Sequence, residues 1–128
     1  MDKKRVLVVD DDTDLRKQMA AILQPHYQVE TASSGKECLQ SVAKAQPACI
    51  VMDVMMDGLS DGLETAKLLK EAPKTNGIPI IMLTSVNESY DYRSQVDANF
   101  FPHDTWLDKP VKAERLLKEV ALRVGSQP

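Results

Sequence analysis

Three consecutive carboxylates stand directly after a short apolar run near the start of the chain. The run reads "VLVVDDD" over residues 6–12, so that Asp10, Asp11 and Asp12 follow four apolar side chains. Two like unit charges about 4 Å apart repel by roughly 4 kcal/mol at an effective dielectric near 20. Such a cluster is either a solvated loop or the site of a cation, because a divalent ion with oxygen ligands offsets the repulsion.

Polar residues also end the later apolar runs of the chain. Asp53 follows "CIVM", Thr84 follows "IIML", and Lys109 comes after "TWLD". Each of these signals alone is more often a helix cap or a solvated turn, because single motifs match by accident. If the runs are parallel strands of one sheet, however, their carboxyl ends open into one crevice, which is where α/β proteins place their sites.

Apolar runs alternate with amphipathic stretches along the chain. Strands are predicted over 5–10, 27–31, 48–53, 78–85 and 105–110, and helices over 13–24, 34–46, 61–72 and 111–124. The last helix carries its predicted apolar stripe on Leu117, Val120, Ala121 and Val124. A βα alternation repeated about five times predicts a parallel sheet with helices on both faces. We expect one domain over residues 1–128, with its core between residues 5 and 124.

The composition is that of an ordinary globular domain. The 128 residues are 43% hydrophobic and 27% charged, and the net charge of −3 gives no general attraction to nucleic acid or anionic membranes. No apolar stretch approaches the roughly 18 residues of a membrane helix, and the apolar run in "MDKKRVLVVD" is too short for a signal peptide. We therefore expect a cytoplasmic protein. Cys38 and Cys49 have no CxxC spacing and are expected to be reduced and packed in the core.

Together, these motifs resemble the receiver domain of the two-component response regulators. The resemblance runs from about Val6 to Val124 and is carried by short motifs: Asp10-Asp11 after "VLVV", Asp53 after "CIVM", Asp61-Gly62, Thr84 after "IIML", and Lys109-Pro110. It implies an α/β fold with a doubly wound, five-stranded parallel sheet of the flavodoxin-like type. In that fold the strand order is 2-1-3-4-5 and helices cover both faces.

The resemblance also implies a role for each acid. Asp53 would accept a phosphoryl group from the phosphohistidine of a histidine kinase. Mg²⁺ would be bound by the carboxylates of Asp11 and Asp53, by Asp10 mainly through a water, and by the backbone carbonyl of Met55. Carboxylate nucleophiles form aspartyl-phosphates, and Mg²⁺ neutralises the charge of the incoming anion. Asp12 is expected to face outward and to begin the following helix.

The remaining site residues are implied to stabilise and transmit the phosphorylated state. Thr84 would hydrogen-bond a phosphoryl oxygen, and Lys109 would pair with the acids or with the phosphoryl group. Thr84 and Trp106 would form the conformational switch, in which Trp106 turns inward as Thr84 moves toward the phosphoryl group. Met55 and Val86 are apolar where a polar side chain could orient a water. We therefore expect self-phosphorylation with slow self-dephosphorylation, and no turnover as an enzyme.

The partners implied by the resemblance are proteins. A sensor histidine kinase or a phosphotransfer protein would donate the phosphoryl group, and an unknown downstream protein or output domain would read the signal. We expect no direct nucleic acid binding by this domain and no membrane association. The sequence fits both a stand-alone regulator and a receiver from a larger protein.

Two segments depart from the family pattern. In "DVMMDGLSDG", Asp57 takes the place of a proline and one extra residue precedes Asp61. We expect a differently shaped loop there, with Asp57 facing solvent. Residues 87–104 have few aliphatic side chains and no clean helical stripe, so we expect a short or irregular segment held by Phe100, Phe101 and either Tyr90 or Tyr92.

Three other interpretations compete with the receiver. A pseudo-receiver would keep the fold and signal through protein contacts without phosphorylation. A haloacid-dehalogenase-type phosphatase fits Asp10-x-Asp12, but Asp14 stands where threonine or valine belongs, and no acid pair follows the fourth strand. A calcium-binding loop starting at Asp10 fails, because Leu15 replaces the required glycine and Ala21 the final glutamate.

Overall fold

The computed structural model of the chain describes residues 3–53, 61–84 and 105–125, in which five strands alternate with four helices. The strands are β1 (Arg5–Val9), β2 (Gln28–Ala32), β3 (Cys49–Asp53), β4 (Ile80–Thr84) and β5 (Thr105–Asp108). The helices are α1 (Thr13–Leu23), α2 (Gly35–Lys44), α3 (Asp61–Glu71) and α4 (Ala113–Gly125). Every predicted strand and helix is present, with ends within about two residues of those predicted, as is usual for element boundaries.

The strands form one parallel sheet in the order β2-β1-β3-β4-β5. This confirms the doubly wound α/β fold and the strand order 2-1-3-4-5. Because the sheet is parallel, the carboxyl ends of all five strands lie along one edge. The register then decides which strand ends are neighbours: Val9 of β1 pairs with Met52 of β3, and Asp53 of β3 pairs with Leu83 of β4.

Alternate residues of each strand pack on opposite faces of the sheet. One cluster of buried side chains lies against α2 and α3 and includes Leu7, Val9, Ile50, Met52, Ile80 and Met82. The other lies against α1 and α4 and includes Val6, Val8, Val51, Ile81, Leu83 and Leu107. Continuous apolar strands are stable only where both faces of a sheet are covered, because each face then leaves water. The apolar runs of the sequence therefore correspond to the three central strands.

The predicted stripe of the last helix is partly wrong. Ala121 is exposed, whereas Glu119 and Leu116 are buried together with Val120 and Val124. Glu119 lies in the middle of the buried face because it forms ion pairs on its own helix. Its oxygens lie 3.4 Å from Arg115 Nε and 3.5 Å from Arg123 Nη2.

Several smaller expectations are also decided by the structure. Asp12 is exposed and caps α1, its Oδ1 accepting a hydrogen bond of 3.1 Å from Leu15 N, as predicted. Cys38 and Cys49 are buried and are not joined by a disulfide bond, as predicted. Within residues 3–53, 61–84 and 105–125, no helix is long and apolar enough to cross a bilayer. The predictions for Asp57 and for 87–104 lie outside the described residues.

Candidate functional site

The sheet register brings three predicted site residues to one place. Val8, Val51 and Leu107 all lie in the cluster of buried residues against α1 and α4. Asp10, Asp53 and Lys109 each stand two residues further along the chain, and side chains along a strand alternate between faces. All three therefore extend the same face of the sheet beyond its buried core. The ends of β1, β3 and β5 converge there.

Three carboxylates meet at this edge. Asp10, Asp11 and Asp53 each offer one oxygen, and these oxygens lie within 4.8 Å of one another. Asp10 is fully buried and Asp53 is 3% exposed. The sequence prediction that these acids lie together is confirmed. We call these three acids together with Lys109 the acidic site.

Lys109 supplies the positive charge of the acidic site. Its Nζ lies 3.0 Å from Asp53 Oδ2 and 4.0 Å from Asp10 Oδ2, and its side chain is 26% exposed. It follows β5 directly and precedes Pro110 through a cis peptide bond. With all groups ionised, the three carboxylates and the one lysine give these four residues a net charge of −2.

Asp10 is buried, and only one of its two carboxylate oxygens accepts a hydrogen bond from the described residues. Its Oδ1 accepts a hydrogen bond of 2.9 Å from Asp12 N. Its Oδ2 is buried, and no described residue donates a hydrogen bond to it. Burial raises the pKa of Asp10 above its ordinary value, and the charges of Asp11 and Asp12 act in the same direction; the hydrogen bond from Asp12 and the charge of Lys109 oppose them. The ionised form of Asp10 is therefore stabilised less than it would be in water.

This arrangement of oxygens fits a hard divalent cation. Mg²⁺ binds through one or two carboxylates and keeps several waters, so converging carboxylates are a suitable ligand set. The buried Oδ2 of Asp10 is an acceptor that a cation or its water could satisfy. The described acids can therefore hold a metal ion.

One contact in the site was missed by the sequence analysis. Arg16 Nη1, on α1, donates a hydrogen bond of 2.8 Å to the backbone carbonyl of Asp10. Arg16 comes six residues after Asp10, and the only signal for it in the sequence is a basic residue in the first turns of the helix that follows the acids.

Of the other predicted site residues, the structure describes Trp106 in full and Thr84 through its backbone. Trp106 is partly buried and packs against the cluster of buried residues that faces α2 and α3. Its register partner across β4 and β5 is Met82, and Thr84 ends β4 opposite Asp108. Nothing is described of the Thr84 side chain, and Met55 lies outside the described residues, so their predicted roles stay predictions.

Comparisons with known proteins agree with this geometry. The family described as the response regulator receiver domain matches residues 6–121. The response regulator MprA of Mycobacterium leprae is 36% identical over 117 residues, which cover 91% of this chain and 49% of that protein. The chain therefore spans about half the length of the curated relatives it matches.

Solved structures are also similar to this chain. The chemotaxis response regulator CheY4 of Vibrio cholerae is 31% identical, with a TM-score of 0.76 over 94% of this chain and 98% of that one. The signal receiver domain of a signal transduction histidine kinase from Syntrophus aciditrophicus is 26% identical, with a TM-score of 0.83 over 96% and 91% of the two chains. With its acidic cluster, its lysine and its 2-1-3-4-5 sheet, the chain belongs to the response regulator receiver family, the phosphoacceptor signalling domains of two-component systems.

Proposed function

We propose that Asp53 is the phosphoacceptor of this receiver and that Mg²⁺ is its cofactor. The donor would be the phosphohistidine of a sensor histidine kinase or of a phosphotransfer protein. The observation that carries the proposal is the position of the Asp53 carboxylate, which is almost buried, contacts Lys109 and faces the oxygens of Asp10 and Asp11. A carboxylate that attacks an anionic donor needs its charge offset, which Lys109 does in part and a bound Mg²⁺ would do further.

In the proposed reaction, a carboxylate oxygen of Asp53 attacks the phosphorus. The new O–P bond forms as the P–N bond to the donor imidazole breaks, and the electron pair of that bond stays on the imidazole nitrogen. Lys109, 3.0 Å from Asp53 Oδ2, has a flexible stem and can follow the charge from the carboxylate to the transferred phosphoryl oxygens. The reaction needs positioning and charge stabilisation rather than a base.

The acids around Asp53 would hold the metal. Asp11 and Asp53 would bind Mg²⁺ through their carboxylates, Asp10 through a water, and Met55 through its backbone carbonyl. When bound, Mg²⁺ supplies positive charge that offsets the repulsion between the carboxylate and the phosphoryl group. Asp10, whose Oδ2 is buried without a hydrogen bond from the described residues, would orient the water that completes the site.

Thr84 and Trp106 would carry the signal away from Asp53. The proposal rests on β4 and β5, which are paired neighbours that place Thr84 and Trp106 near the same end of the sheet. Trp106 is partly buried, so an inward turn would change both the packing and the surface. We also propose slow loss of the phosphoryl group, because Met55 and Val86 offer no polar side chain to orient a water.

The proposed location and partners of the domain follow from the proposed kinase donor. Residues 1–128 would act as one receiver domain, in the cytoplasm where ATP supplies the kinase, and an unknown downstream protein or output domain would read its state. Direct nucleic acid binding and membrane association are not part of the proposal, since the net charge of −3 attracts neither.

Mass spectrometry tests the proposal. We expect the native chain, incubated with acetyl phosphate and Mg²⁺, to gain the mass of one phosphoryl group, and Asp53→Asn to gain none. Asp14→Asn, a change at an exposed acid of α1, is the matched control and should label normally. Labelling of Asp53→Asn would contradict the assignment of Asp53. An unlabelled native chain would favour the pseudo-receiver that signals by protein contacts alone.

A further inference from the structure

Arg16 makes a contact that the proposed chemistry does not use directly. Its Nη1 donates a hydrogen bond of 2.8 Å to the backbone carbonyl of Asp10, and the Arg16 side chain is partly buried. We propose that Arg16 is a positioning residue for the metal: it fixes the peptide between Asp10 and Asp11 so that their carboxylates converge. This inference rests on the proposed function, because it concerns the Mg²⁺ of the same site.

Asp10 is held at three different groups. Its backbone N–H donates to Ala32 O at the end of β2, 3.1 Å away, and its Oδ1 accepts from Asp12 N at 2.9 Å. The third group is its carbonyl, which accepts from Arg16. The first two contacts fix the start of the residue and its side chain. The peptide that follows receives the hydrogen bond from Arg16 at its carbonyl oxygen.

The peptide between Asp10 and Asp11 decides where the second acid points. Because a peptide unit is planar, holding its oxygen also sets the direction in which the Cα of Asp11 leaves it. Asp11 is the most exposed of the three acids, so packing restrains it less than it restrains Asp10 or Asp53. A hydrogen bond from a charged donor is stronger than one between neutral groups. The bond from Arg16 can therefore hold the Asp10–Asp11 peptide although this edge of the sheet is only partly buried.

The charge of Arg16 also acts on Glu37, an acid outside the acidic site. Hydrogen bonds from Ser33 N and Ser33 Oγ, both 2.9 Å, lower the pKa of Glu37, and the charge of Arg16 lowers it further. The guanidinium therefore lies near enough to Glu37 for its charge to act on that carboxylate, while its hydrogen bond goes to the Asp10 carbonyl.

A role for Arg16 through its charge and a role through positioning predict opposite changes in Mg²⁺ affinity when Arg16 is removed. If Arg16 acted on the metal through its charge alone, its removal would tighten Mg²⁺ binding, because like charges repel. If Arg16 positions the acids, its removal weakens Mg²⁺ binding. Removing a group that orients metal ligands typically costs about 10- to 100-fold in metal affinity. We expect about a tenfold loss, at the low end of that range, because Arg16 touches the backbone and not a ligand atom.

The experiment is an Mg²⁺ titration of the full chain, followed by NMR shifts of the backbone amides of Asp11 and Asp53. Arg16→Met keeps the length of the side chain and removes its donors and charge; it should raise the Kd for Mg²⁺ about tenfold. Arg16→Lys keeps the charge and one donor group, and its Kd should lie between the two. Lys17→Met, at an exposed neighbour on the same helix, loses the same charge and should leave the Kd within about twofold of native, since screening weakens distant surface charges.

The outcomes separate this inference from the function on which it rests. An unchanged or lower Kd in Arg16→Met, with native Mg²⁺ binding intact, would overturn the positioning role alone. A native chain that binds no Mg²⁺ would overturn both the inference and the proposed cofactor. Amide shifts remote from the acidic site, recorded without metal, show whether Arg16→Met is folded. If Arg16→Met is not folded, the folded variant Arg16→Lys decides. A native Kd for Mg²⁺ in Arg16→Lys would count against a role for the guanidinium group.

Discussion

Two regions of this molecule hold buried acids, and they differ in how much positive charge lies beside those acids. On α4, Glu119 is 7% exposed, and its two oxygens lie 3.4 Å from Arg115 Nε and 3.5 Å from Arg123 Nη2. We call these the α4 ion pairs: one acid faces two cations. In the acidic site, by contrast, three carboxylates lie together, and Lys109 contacts two of them, Asp53 at 3.0 Å and Asp10 at 4.0 Å.

The difference separates an acid paired within its own helix from a group of acids that could bind a cation. The partners of Glu119 lie four residues before and after it on the same helix, so the helix itself supplies the neutralising charge. The acidic site has no such supply, because its charges come from the ends of three separate strands. The fold holds those ends in place through the buried core that all three strands share. The excess negative charge of the acidic site is therefore available to a cation.

The largest predicted effect concerns the response to Mg²⁺. At a hundred times its Kd, a ligand that binds only the folded state adds about 2.7 kcal/mol to the free energy of unfolding. We expect Mg²⁺ to add this amount in the native chain and almost nothing in Asp11→Asn, as measured by urea denaturation with and without the metal. Glu119→Gln should keep the full increment from a lower baseline. An equal increment in Asp11→Asn would mean that the metal binds elsewhere.

A smaller loss is expected when the α4 ion pairs are broken. Glu119→Gln should lower the free energy of unfolding by about 1–2 kcal/mol, between the values for exposed and for fully buried ion pairs, because both pairs are lost while the two arginines remain. Glu64→Gln, at an exposed position of α3, is the control and should stay within about 0.5 kcal/mol of native. Urea denaturation at pH 7 without metal measures both. A Glu119→Gln variant as stable as native would show that the ion pairs add no net stability.

Some parts of the fold could be predicted from the sequence and others could not. The strands β1, β3 and β4 were predictable because runs such as Val6–Val9 are apolar throughout, which is typical of strands buried on both faces. The order of the strands came from the family resemblance, since periodicity does not say which strands are neighbours. The burial of Glu119 was missed because a hydrophobic pattern assigns charged residues to the exposed face of a helix. The same pattern assigned the apolar Ala121 to the buried face, although Ala121 is exposed.

For the acidic site, the residues and the pairing of Lys109 with the acids were predicted, and the contact made by Arg16 was not. Asp10, Asp53 and Lys109 all follow apolar strands, and parallel pairing alone brings such residues to one edge. The contact of Arg16 with the Asp10 carbonyl depends on how α1 leaves the sheet, which no local pattern specifies. The family match over residues 6–121 leaves the haloacid-dehalogenase-type phosphatase without support.

The smallest predicted effect is a gain of stability when the acidic site loses one of its acids. In Asp10→Asn, an uncharged amide replaces a buried carboxylate that repels Asp11 and whose Oδ2 receives no hydrogen bond from the described residues. We expect the metal-free variant to be more stable than native at pH 7 by on the order of 1 kcal/mol, as is common where a functional site carries strain. The matched change Asp14→Asn, at an exposed acid, should give no such gain.

The pH dependence of that gain identifies its cause. Burial raises the pKa of Asp10 above its ordinary value of 3.8, so between 3.8 and the higher folded value the folded chain binds more protons than the unfolded chain. The free energy of unfolding then falls as the pH rises through this interval, and the loss is complete above the folded pKa. Asparagine does not titrate, so the advantage of Asp10→Asn should be full at pH 7 and shrink as the pH falls toward 3.8. A pH-independent advantage, measured by urea denaturation across this interval, would mean that packing rather than the buried charge of Asp10 limits the stability of the metal-free site.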